Sequence, residues 1–208
     1  MTLKKMVQEI LGSGYRFALF HAFPGGLRFA LSSGDSPLDQ VLTALRKASA
    51  ICEDVFSGEE RILVHLQAVE SASRFGLRAT LRELACAGIA IPRARDIWVD
   101  GAGDDDDDDN GHWVNCAFAL PVTKLQNLLW CAVVSSVDSF RPNPQCRVYL
   151  LNMRKGLVCH PYDDRGMDVV GRQKSALAAL YVRHQEWLLA HDLDLMRQTF
   201  AQPSPLVS

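Results

Sequence analysis

Residues 147–170 read RVYLLNMRKGLVCHPYDDRGMDVV, and this stretch decides the fold. Three short apolar runs lie in it: Arg147 to Asn152, Leu157 to Tyr162 and Met167 to Val170. Between them stand Arg154-Lys155-Gly156 and Asp163-Asp164-Arg165-Gly166, two clusters of turn-forming residues that each end in glycine. This spacing predicts three strands joined by tight turns, a β-meander. On the C-terminal side, Leu177, Leu180, Tyr181, His184, Trp187 and Leu188 recur at helical spacing, which predicts a helix from about Gln173 to Ala190. A last helix is predicted to run to Phe200, and residues 203–208 read as a frayed tail.

Working toward the N-terminus, Lys124 to Val137 is apolar on more than one face, as a largely buried helix is. Ile97-Trp98-Val99 and His112 to Leu120 read as strand arms on either side of an acidic loop, residues 100–111. Arg61 to Leu66 reads as a buried strand, and Arg74 to Ala87 as a helix stopped by Gly88. Ser36 is an N-cap with Pro37 at the first helical position, so a helix follows as far as about Phe56. Leu27 to Leu31 and Tyr15 to Phe20 read as strands, and Leu3 to Leu11 as a short amphipathic helix ended by Gly12. Helices mixed with hairpins predict an α+β fold: a mixed or antiparallel sheet with the C-terminal meander packed against several helices. One domain over residues 1–202 is expected, with a candidate division near 95–110.

Apolar residues make up 48% of the chain and charged residues 22%, the range of an ordinary globular protein. The net charge of −2 hides an asymmetry. Asp100 and Asp104, Asp105, Asp106, Asp107, Asp108 and Asp109 supply seven of the 24 acidic residues, leaving 17 against 22 lysines and arginines. A mildly basic body therefore carries one concentrated acidic segment. No apolar stretch has the length of a membrane span, and Met1 to Met6 has no signal-peptide pattern, so a cytoplasmic protein is expected. The six cysteines lack paired spacing and read as buried free thiols.

The charge-dense stretch Tyr162, Asp163, Asp164, Arg165, Gly166 and Asp168 has two readings. As a turn, it needs Asp163 to accept backbone amides and Gly166 to supply a positive φ, with Arg165 or Asp164 paired to a neighbouring element. As a site, it offers Asp163, Asp164 and Asp168 with His160 to a hard divalent cation, provided a bulge or turn makes them converge. The structural reading carries more weight, and no metal or cofactor is expected. The chain contains no HExxH, Walker loop, nucleophile elbow or dinucleotide fingerprint. Its tryptophans read as core anchors, without the interleaved basic residues of a nucleic-acid binder.

The second half resembles a bacterial family catalogued as a domain of unknown function, number 3885. The residues that carry the resemblance are Tyr162-Asp163-Asp164-Arg165-Gly166, Met167 to Val170, and Leu180-Tyr181 with Trp187-Leu188-Leu189. Leu27 to Leu31, Arg46 and Phe56 fit more loosely, and Asp104 to Asp109 are not part of the pattern. The resemblance implies no mechanism. The residues themselves point to a non-enzymatic protein that binds a basic partner. The expectation is an immunity or antitoxin-like protein, with Asp104 to Asp109, and as a second candidate surface the Asp163-Asp164-Arg165 turn, occluding the cationic groove of a toxin domain. The alternatives are a metal-dependent hydrolase using the Asp163, Asp164 and Asp168 cluster, and a structural adaptor.

Overall fold

The computed structural model describes residues 1–12, 18–70, 74–100 and 112–200. The acidic run Asp104–Asp109 and the tail 203–208 lie outside the described residues. Among the described residues, seven strands join one antiparallel sheet: β1 (Leu27–Ala30), β2 (Arg61–Glu70), β3 (Arg95–Asp100), β4 (His112–Pro121), β5 (Arg147–Asn152), β6 (Leu157–Pro161) and β7 (Gly166–Gly171). Their order across the sheet is β1-β7-β6-β5-β2-β4-β3, so the expected meander β5-β6-β7 forms intact. The long ladder between β2 and β4 joins it to the β3-β4 pair. The fold is α+β.

The helices are α1 (Leu3–Leu11), α2 (Leu19–Ala22), α3 (Pro37–Val55), α4 (Arg74–Cys86), α5 (Leu125–Val133), α6 (Lys174–Arg183) and α7 (Leu193–Phe200). Local chemistry sets several of their ends. The Ser36 hydroxyl accepts the Asp39 amide at 3.1 Å, with Pro37 in the first turn of α3. An N-cap of this kind contributes about 1 kcal/mol. Gly12 ends α1 at φ 79°, in the left-handed region that favours glycine.

Side chains alternate across the strands, so the sheet has two unlike faces. One face is apolar except at its margins, where Asn152 donates to the Val55 carbonyl at 2.8 Å and Arg95 lies opposite Phe118. Phe29, Val64, Phe118, Val148, Leu150 and Val169 meet Ala44, Ala48 and Ile51 of α3 and Leu128, Leu129 and Ala132 of α5 on this face. The other face carries a smaller core, in which Val7, Ile10 and Leu11 of α1 and Leu19 of α2 pack on Leu63, Leu151, Val158 and Val170. The rest of that second face is polar.

Four expectations need correction. Residues 19–22 form the short helix α2, whereas Tyr15 to Phe20 read as a strand (residues 13–17 are not described). The Phe20 amide donates to the Asp168 carboxylate at 3.0 Å instead of joining a ladder, a partner 148 positions away. The helix expected to reach Ala190 stops at Arg183, and the chain turns to cover the edge of β1. There Leu188 bridges to Phe29, and the Leu189 amide donates to the Arg28 carbonyl at 2.9 Å. Cys52, Cys131, Cys146 and Cys159 are buried, but Cys86 is exposed and Cys116 half-buried. Trp98, Trp130 and Trp187 pack half-buried against the cores as anchors, but half-buried Trp113 belongs to neither core.

Candidate functional site

A row of polar and aromatic side chains crosses the second face of the sheet. Strand register sets it: Arg28 lies opposite Asp168, Asp168 opposite His160, Tyr149 opposite His65, and His65 opposite Ala117, which faces Asp96. The rings of His160 and Tyr149 stack at 4.1 Å, closing the gap between β6 and β5. His65 is stacked between Tyr149 and Trp98, each at 5.2 Å. A second row beside the first holds Arg147, Gln67 and Asn115, with the Arg147 guanidinium 4.0 Å from the centre of the Trp113 ring.

At one end, Asp168 is fully buried and accepts the Arg28 guanidinium at 2.8 and 3.2 Å as well as the Phe20 amide. Arg28 also reaches Asp192 at 3.3 Å and the His21 ring at 3.2 Å. Two buried carboxylates thus share one guanidinium, whose planar fork suits that geometry. Toward the other end, the Asp100 carboxylate accepts from the Asn115 amide at 2.9 Å, which fixes Asn115 with its oxygen toward His65. That oxygen accepts from Gln67 at 3.2 Å and from His65 Nε2 at 3.0 Å, so Nε2 carries the hydrogen of the neutral ring. His160 Nδ1 likewise donates to the Val148 carbonyl at 3.0 Å.

Burial dominates the acid–base chemistry of this row. It lowers His65 to about 3 and His160 to about 4. It raises Tyr149 and Tyr162 to about 12 each. All four groups are therefore neutral around pH 7, and none is poised to exchange a proton there.

The Tyr162–Gly166 turn is held together by its own residues. The Asp163 carboxylate accepts the Arg165 amide and the Arg165 guanidinium Nε, each at 2.8 Å. Asp164 accepts the Ser136 hydroxyl at 2.7 Å, and the Arg165 carbonyl accepts the Leu31 amide at 2.9 Å. The turn reading of Asp163 holds. Gly166 corrects it, because glycine is needed here for close approach and not for a positive φ. A Cβ at this position would lie 2.0 Å from the Tyr162 hydroxyl oxygen and 3.0 Å from the Phe29 carbonyl oxygen. Gly166→Ala is expected to cost about 1–3 kcal/mol in chemical unfolding, and less in a Tyr162→Ser background. Equal costs in both backgrounds would show that the phenol is not what excludes the methyl.

The carboxylates proposed for a metal point to different partners: Asp163 to Arg165, Asp164 to Ser136, and Asp168 with His160 to the polar row. Among the described residues, no three His, Cys, Asp or Glu side chains are placed to share a metal ion. Asp163, Asp164, Asp168 and His160 are thus not brought together as one ligand set. Where the turn meets the polar row, a hollow of about 280 Å³ is lined by Gln67, Trp113, Ser136, Arg147, Tyr162 and Asp163. A larger one of about 830 Å³ lies away from the turn, between Asp54, Lys155 and the α6 residues Ala179 and Arg183. The turn hollow is lined mainly by polar side chains, whereas the larger one combines Asp54, Lys155 and Arg183 with apolar residues of α6.

The family model described as Domain of unknown function (DUF3885) matches residues 3–192. The chain belongs to that family. No curated protein and no solved structure matches it. The DUF3885 match begins at α1, the cover of the polar face, and ends at Asp192, the second carboxylate on Arg28. Sequence reading singled out Asp168 and the turn but missed Arg28, His65, Gln67, Asn115, Tyr149 and Asp192. A signal was present: polar residues at every second position of otherwise apolar strands (His65 and Gln67; Tyr149 and Arg147) mark a second face that is covered yet polar. Among the described residues, no helix is long and apolar enough to cross a membrane.

Proposed function

We propose that this DUF3885 chain is a non-enzymatic, cytoplasmic protein that binds a basic protein partner, as an immunity or antitoxin-like protein does toward a toxin domain. One observation carries the reading. The acidic groups of the turn and the polar row are committed internally: Asp163 to Arg165, Asp164 to Ser136, and Asp168 and Asp192 to Arg28. The charge left for a partner is concentrated in sequence at Asp104–Asp109, between β3 and β4, on a chain that is otherwise net basic. Adjacent carboxylates accelerate encounter with a cationic groove and compete with the phosphates such a groove binds.

Affinity capture from the native cells tests this. The parent chain is expected to retain one stoichiometric basic protein, and a variant with Asp104 to Asp109 changed to Asn to lose it. The same protein retained equally by both would remove the electrostatic basis of the proposal.

A further inference from the structure

The two edges of the sheet are treated differently. At the β1 edge, Leu188 and Leu189 cover the strand, and the Arg28 amide meets the Met196 sulfur at 3.3 Å. At the other edge, β3 pairs, among the described residues, with β4 alone. An open edge offers a row of backbone donors and acceptors to any extended chain, and folds normally blunt it. Arg95, Asp96 and Asp100 put charge on this edge, but two apolar side chains stand open between them. Ile97 and Val99 are 58% and 56% exposed on the apolar face of the sheet. Asp96, Trp98 and Asp100 alternate with them on the polar face.

We infer that the β3 edge, Arg95–Asp100, accepts an added strand from the basic partner, an inference that rests on the function proposed above. The added strand is amphipathic with period two. Its apolar side chains pack beside Ile97 and Val99, and its lysines or arginines meet the carboxylates of Asp96 and Asp100, each of which already accepts a hydrogen bond within the fold, Asp96 from the Lys4 amide and Asp100 from Asn115. Strand addition draws affinity from main-chain hydrogen bonds and selectivity from alternate side chains, and β3 supplies both halves of that code. A second copy of this chain fits the edge less well. Antiparallel pairing of β3 with itself must set residues of one face opposite each other. Centred on Trp98, it opposes Asp96 to Asp100; centred on Ile97, it opposes Arg95 to Val99 and gives the acidic residues no counter-charge.

The test uses the whole chain and two defined peptides. One is Lys-Val-Lys-Val-Lys-Val-Lys; the other has proline in place of the central valine, which keeps the charge but breaks the strand. The alternating peptide is expected to bind saturably and to slow amide exchange across residues 95–100 by on the order of tenfold. The proline peptide, and an Ile97→Lys/Val99→Lys variant whose thermal unfolding matches the parent, should each lose both effects. If both peptides bind equally without protecting β3, strand addition is overturned while the basic-partner reading survives. Protection that grows with protein concentration in the absence of peptide identifies a second copy as the occupant and overturns it too. If neither peptide binds while the native basic partner is still captured, strand addition is overturned and the reading beneath it stands; if capture fails as well, both fall.

Discussion

Acidification from pH 7 to about 4.5 is expected to remove roughly 5 kcal/mol of folding stability, because two histidines are buried in their neutral form. Burial holds His160 at about 4 and His65 at about 3 in the folded protein. An unfolded histidine titrates near 6.5. Between these limits the unfolded chain binds protons that the fold refuses. The stabilisation is therefore complete above about pH 6.5 and declines as the pH falls, by about 1.4 kcal/mol per pH unit for each ring. The decline ends at about 4 for His160 and about 3 for His65. Urea midpoints at pH 7, 5.5 and 4.5 measure it, and His160→Phe should flatten the slope by about one proton. A midpoint that stays level across this range would mean that the rings are charged in the fold, contrary to the neutral stack on Tyr149.

The second large effect lies at the other end of the row. Asp168→Ala leaves the Arg28 guanidinium and the Phe20 amide without the carboxylate that both use. Breaking a buried pair from one side costs about 3–5 kcal/mol, because the surviving charge stays desolvated. Removing both members into apolar groups costs far less. Arg28→Met combined with Asp168→Leu and Asp192→Leu, which leaves neither carboxylate buried without its guanidinium, should therefore unfold at a higher denaturant concentration than Asp168→Ala alone. A cost below about 1 kcal/mol for Asp168→Ala would show that Asp192 and water replace the lost partner.

The sequence made some features plain and hid others for physical reasons. The cap at Ser36 and Pro37, the glycine stop at Gly12 and the turn acceptor Asp163 depend on neighbours within a few positions, so they could be read directly. The meander was legible because its turns are short and its strands alternate with clear punctuation. The contacts that organise the polar face are not local. Arg28 and Asp168 stand 140 positions apart, and Arg28 and Asp192 stand 164 apart. Helix α2 forms where a strand pattern stood because Asp168 accepts its backbone amide, a partner that periodicity cannot reveal. Gly166 was recognised as necessary and given the wrong reason, since the ring that excludes a side chain folds back from Tyr162. The openness of β3 was equally hidden, because it depends on which strand ends the sheet.

The most direct test separates the face offered to a partner from the turn that holds the fold together. The captured basic partner is titrated, at low salt, with the parent, with the variant carrying Asn at positions 104–109, and with Asp163→Asn/Asp164→Asn. The account predicts that the first variant loses binding by tenfold or more, on the order of 1.4 kcal/mol. The second should bind as the parent does and unfold at lower denaturant. Unchanged binding by the 104–109 variant together with loss in the turn variant would contradict it, and would place the partner on the Tyr162–Gly166 turn instead.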